Sequence, residues 1–157
     1  MKAVLSAFAI LAFSAAPAWA GDEEAAIGAT LDALHAAAAA ADGEAYFSLF
    51  TPDARFIGTD ATERWSLAEF RAYAEPYFAR GRGWTYTATA RDITIAPIDC
   101  RCIAWFDEAL SNASYGQTRG SGVLRLTDDG WKIEQYVLSF AIPNDSAAAV
   151  VAVIRGE

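Results

Sequence analysis

The sequence is poor in the residues that bind metals and form cross-links. Its 157 residues include one histidine and two cysteines, whereas a structural zinc site takes about four Cys, His or acidic ligands. Neither a glycine-rich phosphate loop nor a Ser-His-Asp set is visible in the sequence. We therefore expect no metal site and no cofactor.

Basic residues are also scarce. The chain has 12 lysines and arginines against 20 acidic residues, which gives a formal net charge of −8 at pH 7. Nucleic acids and anionic lipid surfaces attract basic proteins, and a chain this acidic is repelled by both. Because no basic stripe is present either, we do not expect nucleic-acid binding.

The chain has no hydrophobic run long enough to cross a membrane comfortably. An apolar stretch covers residues 3–16, which is shorter than the ~20 residues that a bilayer requires. Ala18 and Ala20 follow it with the small-x-small pattern of a signal-peptide cleavage site. We predict a signal peptide over residues 1–20, one domain over residues 21–157, and a periplasmic or secreted protein without membrane insertion after cleavage. An uncleaved anchor or a buried first helix is the alternative.

The two cysteines, Cys100 and Cys102, are separated by one residue in a segment predicted to be a strand. Side chains at i and i+2 of a strand share a face but diverge, so a disulfide between them requires strain. We favour two separate thiols. A strained redox pair or an intermolecular bridge remains the alternative.

The first half of the predicted domain has helical periodicity. Apolar residues recur at helical spacing over residues 23–41, a segment that ends in a run of alanines. A short second helix is predicted over residues 44–50. Ser66 and Glu69 have the spacing of a capping box, which predicts the start of a third helix that Pro76 should bend.

The second half has the alternation and composition of strands. One short strand is predicted at residues 55–57, followed by a loop at 58–62, and four long antiparallel strands are predicted over residues 84–96, 101–110, 115–127 and 131–143. The Asp129-Gly130 pair predicts a two-residue type I′ turn in the last hairpin. A final helix should end near Ile154. This order of elements predicts one α+β domain.

The order of elements and several short segments resemble the SnoaL-like branch of the nuclear transport factor 2-like superfamily, over residues 25–144. The segments are Phe50-Thr51-Pro52-Asp53-Ala54-Arg55-Phe56-Ile57-Gly58, Gly83-Trp84-Thr85-Tyr86, Ala104-Trp105-Phe106-Asp107-Glu108, Arg119-Gly120-Ser121-Gly122 and Trp131-Lys132-Ile133. The resemblance implies a cystatin-like conical barrel, in which N-terminal helices pack in a curved antiparallel sheet around one cavity. It also implies a homodimer through the outer sheet face. It implies no single chemistry, because such proteins include enzymes and binding domains.

The predicted turn fixes which side chains of the last hairpin share a face. It places Gly120 and Gly122 on the cavity side together with Gln135 and Ser139, and the resemblance also implies polar cavity residues at the last two positions. The opposite face would carry a strongly apolar patch, for which we predict a dimer contact. This patch consists of Tyr136, Leu138 and Phe140.

Asp107 is the main candidate for a catalytic residue. Asp107 and Glu108 must face opposite sides of a regular strand, and Asp107 faces the cavity if Trp105 does. A carboxyl group beside tryptophan rings could act as a general base. Arg119 could bind a substrate carboxylate. The alternative is a salt bridge at the rim, between one of the acids and Arg119 or Arg101.

The remaining candidates are aromatic side chains and the single histidine. The aromatic residues would bind a small apolar or aromatic ligand, or else pack in the core; they are Phe56, Trp65, Trp84, Tyr86 and Trp105. His35 lies at the edge of the apolar stripe of the first helix. It could be a base, but no orienting partner is visible in the sequence, so a partly buried structural histidine is favoured.

No complete acid–base constellation is recognisable in the sequence. The expected function is therefore that of an exported small-molecule-binding or accessory domain. The first alternative is a cofactor-independent isomerase, dehydratase or cyclase with Asp107 as general base. The second is a protein-interaction module that uses the outer apolar patch.

Overall fold

The structure is a computed structural model that describes residues 18–157, with side chains from Gly21 onward. The predicted signal peptide lies outside the described residues over positions 1–17. Helix α1 (Ala18–Ala40) begins earlier than predicted. Its residues Ile27, Leu31 and Leu34 are buried at helical spacing, which confirms the predicted apolar stripe.

Two shorter helices follow α1 in the first half. Helix α2 (Gly43–Ser48) is capped by Asp42, whose side chain accepts a hydrogen bond from the backbone N–H of Ala45. Helix α3 (Leu67–Phe78) begins at the predicted capping box, in which Ser66 and Glu69 bond to each other's backbone N–H groups. Pro76 lies within α3, and the helix continues past it to Phe78.

Six strands form one sheet in the order β2-β1-β6-β5-β4-β3. Their bounds are Phe50–Ile57 for β1, Arg64–Ser66 for β2, Thr87–Ile95 for β3, Ile103–Asn112 for β4, Gly116–Thr127 for β5 and Gly130–Phe140 for β6. The four long strands are antiparallel as predicted, while β1 pairs parallel to β6. Strand β1 is longer than predicted, and β2 was not predicted.

The hairpin of β5 and β6 is confirmed, but its turn differs from the predicted one. Thr127 pairs with Gly130, so Asp128 and Asp129 are the central turn residues. Of the turn residues only Gly130 has a positive φ, of 94°. A type I′ turn needs positive φ at both central residues, which two aspartates adopt less readily than glycine does.

A β-bulge in β6 changes which residues face the helices. Leu124 pairs with Ile133 and Val123 pairs with Gln135, so Glu134 has no partner on β5. As a result Trp131 and Ile133 are buried before the bulge, and Tyr136 and Leu138 are buried after it, while Phe140 at the end of the strand is exposed. The predicted outer patch is therefore wrong: Tyr136 and Leu138 face inward.

The core lies between the helices and the inner face of the sheet. Aromatic rings from α2, α3 and β1 pack against one another there, and Tyr46 contacts Phe47, Phe70 and Trp84 edge to face. Such aromatic pairs contribute beyond the apolar area they bury. The α+β architecture is as predicted, with the helices on one face of the sheet.

The connection between β3 and β4 holds both cysteines. Cys100 and Cys102 form a disulfide with a Cα–Cα distance of 5.1 Å, so the expectation of separate thiols is wrong. Cys100 lies in a turn and Cys102 in the irregular segment before β4, rather than in the predicted strand. Arg101 between them has a φ of 46°, and this left-handed residue brings the two side chains together.

The chain ends in helix α4 (Ala147–Arg155), which follows a short 3-10 turn at Asn144–Ser146. No residue of α4 is buried, and Val153 and Ile154 are strongly exposed. Within residues 18–157, no helix has the length and apolar character needed to cross a membrane.

Candidate functional site

Strand β4 places its two acids on opposite faces. Its residues alternate between buried and exposed, with Phe106, Glu108 and Leu110 facing the helices. Glu108 is completely buried, whereas Asp107 is exposed and Trp105 is 46% exposed on the outer face. The expectation that Asp107 faces the cavity is wrong, because Phe106 and Leu110, rather than Trp105, are the apolar residues that β4 contributes to the core.

The buried carboxylate of Glu108 is held by three side chains. Its Oε1 lies 2.8 Å from Nε2 of His35 and accepts a hydrogen bond of 2.9 Å from the hydroxyl of Tyr136. Its Oε2 accepts a hydrogen bond of 2.9 Å from Nε of Arg91. A buried carboxylate is expensive unless its oxygens are satisfied, and here both oxygens are.

Each partner of Glu108 comes from a different element. His35 follows Leu34 on α1, which packs over the sheet. Tyr136 is the first residue of β6 that faces inward after the bulge. Arg91 is directly opposite Glu108 on β3, after a second register shift between Ala88 and Ala90. The site therefore depends on one helix and on two irregularities in the sheet.

Gly120 provides the space for these contacts. It pairs with Glu108 and with Leu138 across the sheet, and it faces inward. A Cβ at this position would overlap the hydroxyl oxygen of Tyr136 and would lie 2.8 Å from Oε1 of Glu108. The hydrogen bond between Tyr136 and Glu108 therefore requires glycine at position 120.

Arg91 connects the buried carboxylate to α1. Its Nη1 donates to Asp32 over 2.8 Å and to the carbonyl of Gly28 over 3.2 Å. Its Nη2 lies 2.9 Å from Oε2 of Glu108 and forms an ion pair with it. The geometry does not suit a hydrogen bond, and Nη2 has no hydrogen-bond partner within residues 21–157. Burial acts to lower the pKa of Arg91, but its bonds to Asp32 and Glu108 outweigh burial and raise it.

The ionisation of Glu108 follows from these contacts. Burial acts to raise the pKa of Glu108, but the hydrogen bond and charge of His35, with Tyr136 and Arg91, outweigh burial and lower it below its ordinary value of 4.5. Burial and the charge of Glu108 raise the pKa of Tyr136 well above its ordinary value. At neutral pH the carboxylate is charged and the phenol remains a donor.

A small cavity adjoins this network. Its volume is ≈ 20 Å³, which is room for about one water molecule. One histidine and three tyrosines bring polar groups into an otherwise apolar wall. The lining consists of Leu34, His35, Ala38, Tyr46, Phe56, Trp84, Tyr86, Tyr136 and Leu138. Burial, with a smaller effect of Tyr115, raises the pKa of Tyr86 to about 12. This cavity is the candidate functional site.

A family model described as the SnoaL-like domain matches residues 27–143 of this chain. The match covers α1 from Ile27 onward, the whole sheet and every residue of the site described above. The chain belongs to the SnoaL-like domain family. None of the curated proteins is similar enough to match it.

Solved structures share the fold of this SnoaL-like domain. An aromatic ring hydroxylase candidate from Novosphingobium aromaticivorans is 21% identical, with a TM-score of 0.63 over 78% of this chain and 91% of its own. A dehydratase candidate of the NTF2-like family from Streptomyces avermitilis is 16% identical, with a TM-score of 0.66 over 78% and 99%. A domain of unknown function from Nostoc punctiforme with a cystatin-like fold is 17% identical, with a TM-score of 0.61 over 87% and 98%. These similarities confirm the predicted cystatin-like fold.

The structure places the predicted aromatic residues in different surroundings. Phe56, Trp84 and Tyr86 border the cavity, and their role in ligand binding stays a prediction. Trp65 stacks on Tyr73 with ring centroids 4.9 Å apart and is not part of the cavity wall. Trp105 lies on the outer face, so its predicted place in the cavity is wrong.

The predicted polar residues of β5 and β6 also face away from the cavity. Gln135 pairs with Val123 and Ser139 pairs with Arg119, all on the outer face. The bulge at Glu134 explains this error, because it reverses the facing of every later residue of β6. Arg119 instead borders a separate cavity of ≈ 180 Å³, which is lined by Thr89, Ala109, Leu110, Ser111, Gln117, Thr118, Arg119 and Ala141.

Neither predicted rim salt bridge forms. Glu108 pairs with Arg91 rather than with Arg119, and Arg101 pairs with Glu23. The sequence-based interpretation missed Arg91 and missed the pairing of His35 with Glu108. Among residues 21–157, no group of three or more His, Cys, Asp or Glu side chains is arranged to hold a metal ion.

Proposed function

We propose that this SnoaL-like domain binds a small, mainly apolar molecule in the aromatic cavity and moves a proton to or from it through His35. The observation that carries the proposal is the contact of 2.8 Å between Nε2 of His35 and the buried carboxylate of Glu108, at the wall of the cavity. A histidine held by a carboxylate is a recurring acid–base device.

The geometry fixes the tautomer of a neutral His35. Nε2 carries the proton and donates it to Oε1 of Glu108, which leaves the lone pair on Nδ1. No partner for Nδ1 is present among the described residues. When Nδ1 takes up a proton, the positive charge on the ring lies against the carboxylate of Glu108, which stabilises it.

Tyr86 is the residue best suited to orient a polar group of the substrate. Tyr136 is already committed to Glu108, whereas Tyr86 borders the cavity with a hydroxyl that stays protonated at neutral pH, because its pKa is raised to about 12. A carbonyl or hydroxyl bound there would lie in the same small cavity as His35. Isomerisation and dehydration are the reaction classes that need this pair of groups and no redox cofactor.

The cavity must open to admit such a substrate. Its ≈ 20 Å³ hold about one water molecule, and Trp84 and Tyr86 in its wall are only half-buried. Opening the cavity therefore requires these two rings to move aside.

Hydrogen exchange at carbon tests the proposal. The full-length protein is incubated in D2O with a panel of small ketones and β-hydroxy carbonyl compounds, and exchange and water loss are followed by NMR. We expect His35→Gln to slow the accelerated reaction about 100-fold or more, while Asp107→Asn keeps the wild-type rate. A folded His35→Gln protein with an unchanged rate would contradict the proposal.

Binding without catalysis is the second candidate function, and the apolar majority of the cavity wall favours it. Native mass spectrometry of protein from its own host identifies a retained molecule. If that molecule binds equally to wild type and His35→Gln, and neither protein changes it, the domain is a binding or accessory protein.

Export and dimerisation are further proposals. The signal-peptide pattern of residues 1–20 supports export, and a secreted form that begins at Gly21 would establish it by N-terminal sequencing. The exposed Trp105, beside the half-buried Val123, supports a homodimer through the outer sheet face. Sedimentation of wild type and Trp105→Asp checks this, because a charge at the interface should leave monomers.

A further inference from the structure

The disulfide joins the only two cysteines of the chain in an accessible place. Cys100 is exposed and Cys102 is half-buried in the connection between β3 and β4. The preceding residues of this connection are exposed as well; they are Pro97, Ile98 and Asp99. A small thiol in solution can therefore reach the disulfide.

This cross-link adds little to the stability of the fold. A disulfide restricts the unfolded chain more strongly the longer the loop that it closes, and here the two cysteines are separated by 2 positions in the sequence. Stabilisation of the domain therefore does not account for this cross-link.

Arg101 inside the ring has an unusual backbone and a specific contact. It is one of two non-glycine residues with positive φ among those described, and the other, Ala41, directly follows the C-terminus of α1, where this conformation is common. The guanidinium of Arg101 donates through Nε to the carboxylate of Glu23 over 3.0 Å. The closed ring thus directs Arg101 toward the beginning of α1.

We propose that Cys100–Cys102 is a thiol–disulfide exchange site, and that its oxidised state holds the N-terminal part of α1 through Arg101 and Glu23. The substrate class is a small thiol or dithiol. This inference is independent of the cavity and of the function proposed for it.

The exchange begins at the more exposed sulfur. A thiolate attacks Sγ of Cys100, the S–S bond breaks, and Cys102 leaves as a thiolate that takes up a proton. A second thiol then attacks the mixed disulfide and releases Cys100, so two electrons pass to the protein and the two substrate thiols become a disulfide. The carbonyl of Cys102 accepts a hydrogen bond of 2.8 Å from the N–H of Leu126 on β5, which holds the backbone of this residue in place when its sulfur leaves.

Equilibration in glutathione buffers tests the exchange. The folded full-length protein is incubated with mixtures of reduced and oxidised glutathione, alkylated with iodoacetamide and weighed by intact mass spectrometry. We expect a reversible change from zero to two alkyl groups without denaturant. A pair that reacts with thiols only after unfolding, or that stays as two thiols at every glutathione ratio, would overturn the proposal.

Two variants at position 101 test the role of its backbone. Arg101→Gly and Arg101→Ala both remove the contact with Glu23, but only glycine relieves the cost of a left-handed conformation. We expect the glycine variant to favour the disulfide about tenfold more than the alanine variant does. Equal equilibrium constants for disulfide formation in the two variants would show that the backbone conformation of residue 101 does not favour the disulfide.

Hydrogen–deuterium exchange tests the link to α1. Reduction of the wild type should speed amide exchange around Glu23, and the Glu23→Gln protein should exchange fast there in both redox states. Exchange around His35, further along α1, serves as the internal reference. If reduction leaves the exchange around Glu23 unchanged, the link to α1 is wrong.

Discussion

Asp107 and Glu108 are neighbours in the chain with the same ionisable group and opposite surroundings. Glu108 faces the helices and meets His35, Arg91 and Tyr136. Asp107 faces outward, opposite Asp92 on β3 and Ser121 on β5. The comparison teaches that strand facing, rather than residue type, decides which of the two acids acquires a chemical role.

The two faces of the sheet also differ in what a change would cost. On the inner face the side chains around Glu108 are hydrogen-bonded to its buried carboxylate, so removing one of them leaves others without a partner. On the outer face water replaces any lost contact.

Glu108→Ala should cause the largest effect. It leaves Arg91 with Asp32 as its remaining carboxylate partner, and it leaves His35 and Tyr136 without an acceptor. We expect the free energy of unfolding to fall by about 3–5 kcal/mol, against less than about 0.5 kcal/mol for Asp107→Ala. Urea denaturation of both variants measures the difference, and similar losses would remove the distinction between the two acids.

Gly120→Ala should have the next largest effect. The added methyl group overlaps the hydroxyl of Tyr136 and crowds Oε1 of Glu108, so one of these side chains must move. We expect a loss of about 1–3 kcal/mol in unfolding free energy. Ser121→Ala, one residue further and on the outer face, is the matched control with almost no loss. If Gly120→Ala were as stable as wild type, the side chains of Tyr136 and Glu108 would have enough space to accommodate the methyl group.

Tyr136→Phe removes one hydrogen bond and keeps the ring. Because the acceptor is a charged, buried oxygen, we expect a loss of about 1.5 kcal/mol in unfolding free energy. The control is Tyr115→Phe, whose hydroxyl belongs to an exposed side chain. Denaturation curves that coincide for the two variants would show that Oε1 of Glu108 does not need the hydroxyl of Tyr136.

The smallest expected difference is in the dependence of stability on pH. The pKa of Glu108 in the folded protein is below its ordinary value of 4.5, so its charge stabilises the fold above pH 4.5. That contribution is lost as the pH falls below 4.5 toward the folded pKa. Glu108→Gln should therefore lose less stability than wild type over this range. Unfolding curves at pH 7 and at several pH values below 4.5 measure this, and parallel losses would contradict it.

Local signals in the sequence predicted most of the elements. The capping box of Ser66 and Glu69 starts α3 as expected, because its two hydrogen bonds lie within four residues. The alternation of β4 correctly required that Asp107 and Glu108 face opposite sides. The prediction that Asp107 is the inward residue depended on Trp105 facing inward. In the structure Phe106 and Leu110 face the core instead, and Glu108 faces inward with them.

The site itself could not be assembled from local patterns. His35 and Glu108 are 73 positions apart in the sequence, and Arg91 and Glu108 are 17 apart. Their meeting depends on how α1 packs over the sheet and on the register between β3 and β4. The bulge at Glu134 was also not predictable, because no glycine or proline marks it.

The same bulge has a consequence for how the length of this chain can change during evolution. In a regular strand, gaining or losing one residue turns every later side chain to the other face. At Glu134 the extra residue is already present between Ile133 and Tyr136, which both face inward. Deleting Glu134 would restore regular alternation and keep both residues where they are. Strand β6 therefore has one position that tolerates a deletion. At neighbouring positions the same deletion would turn the side chains that line the cavity outward.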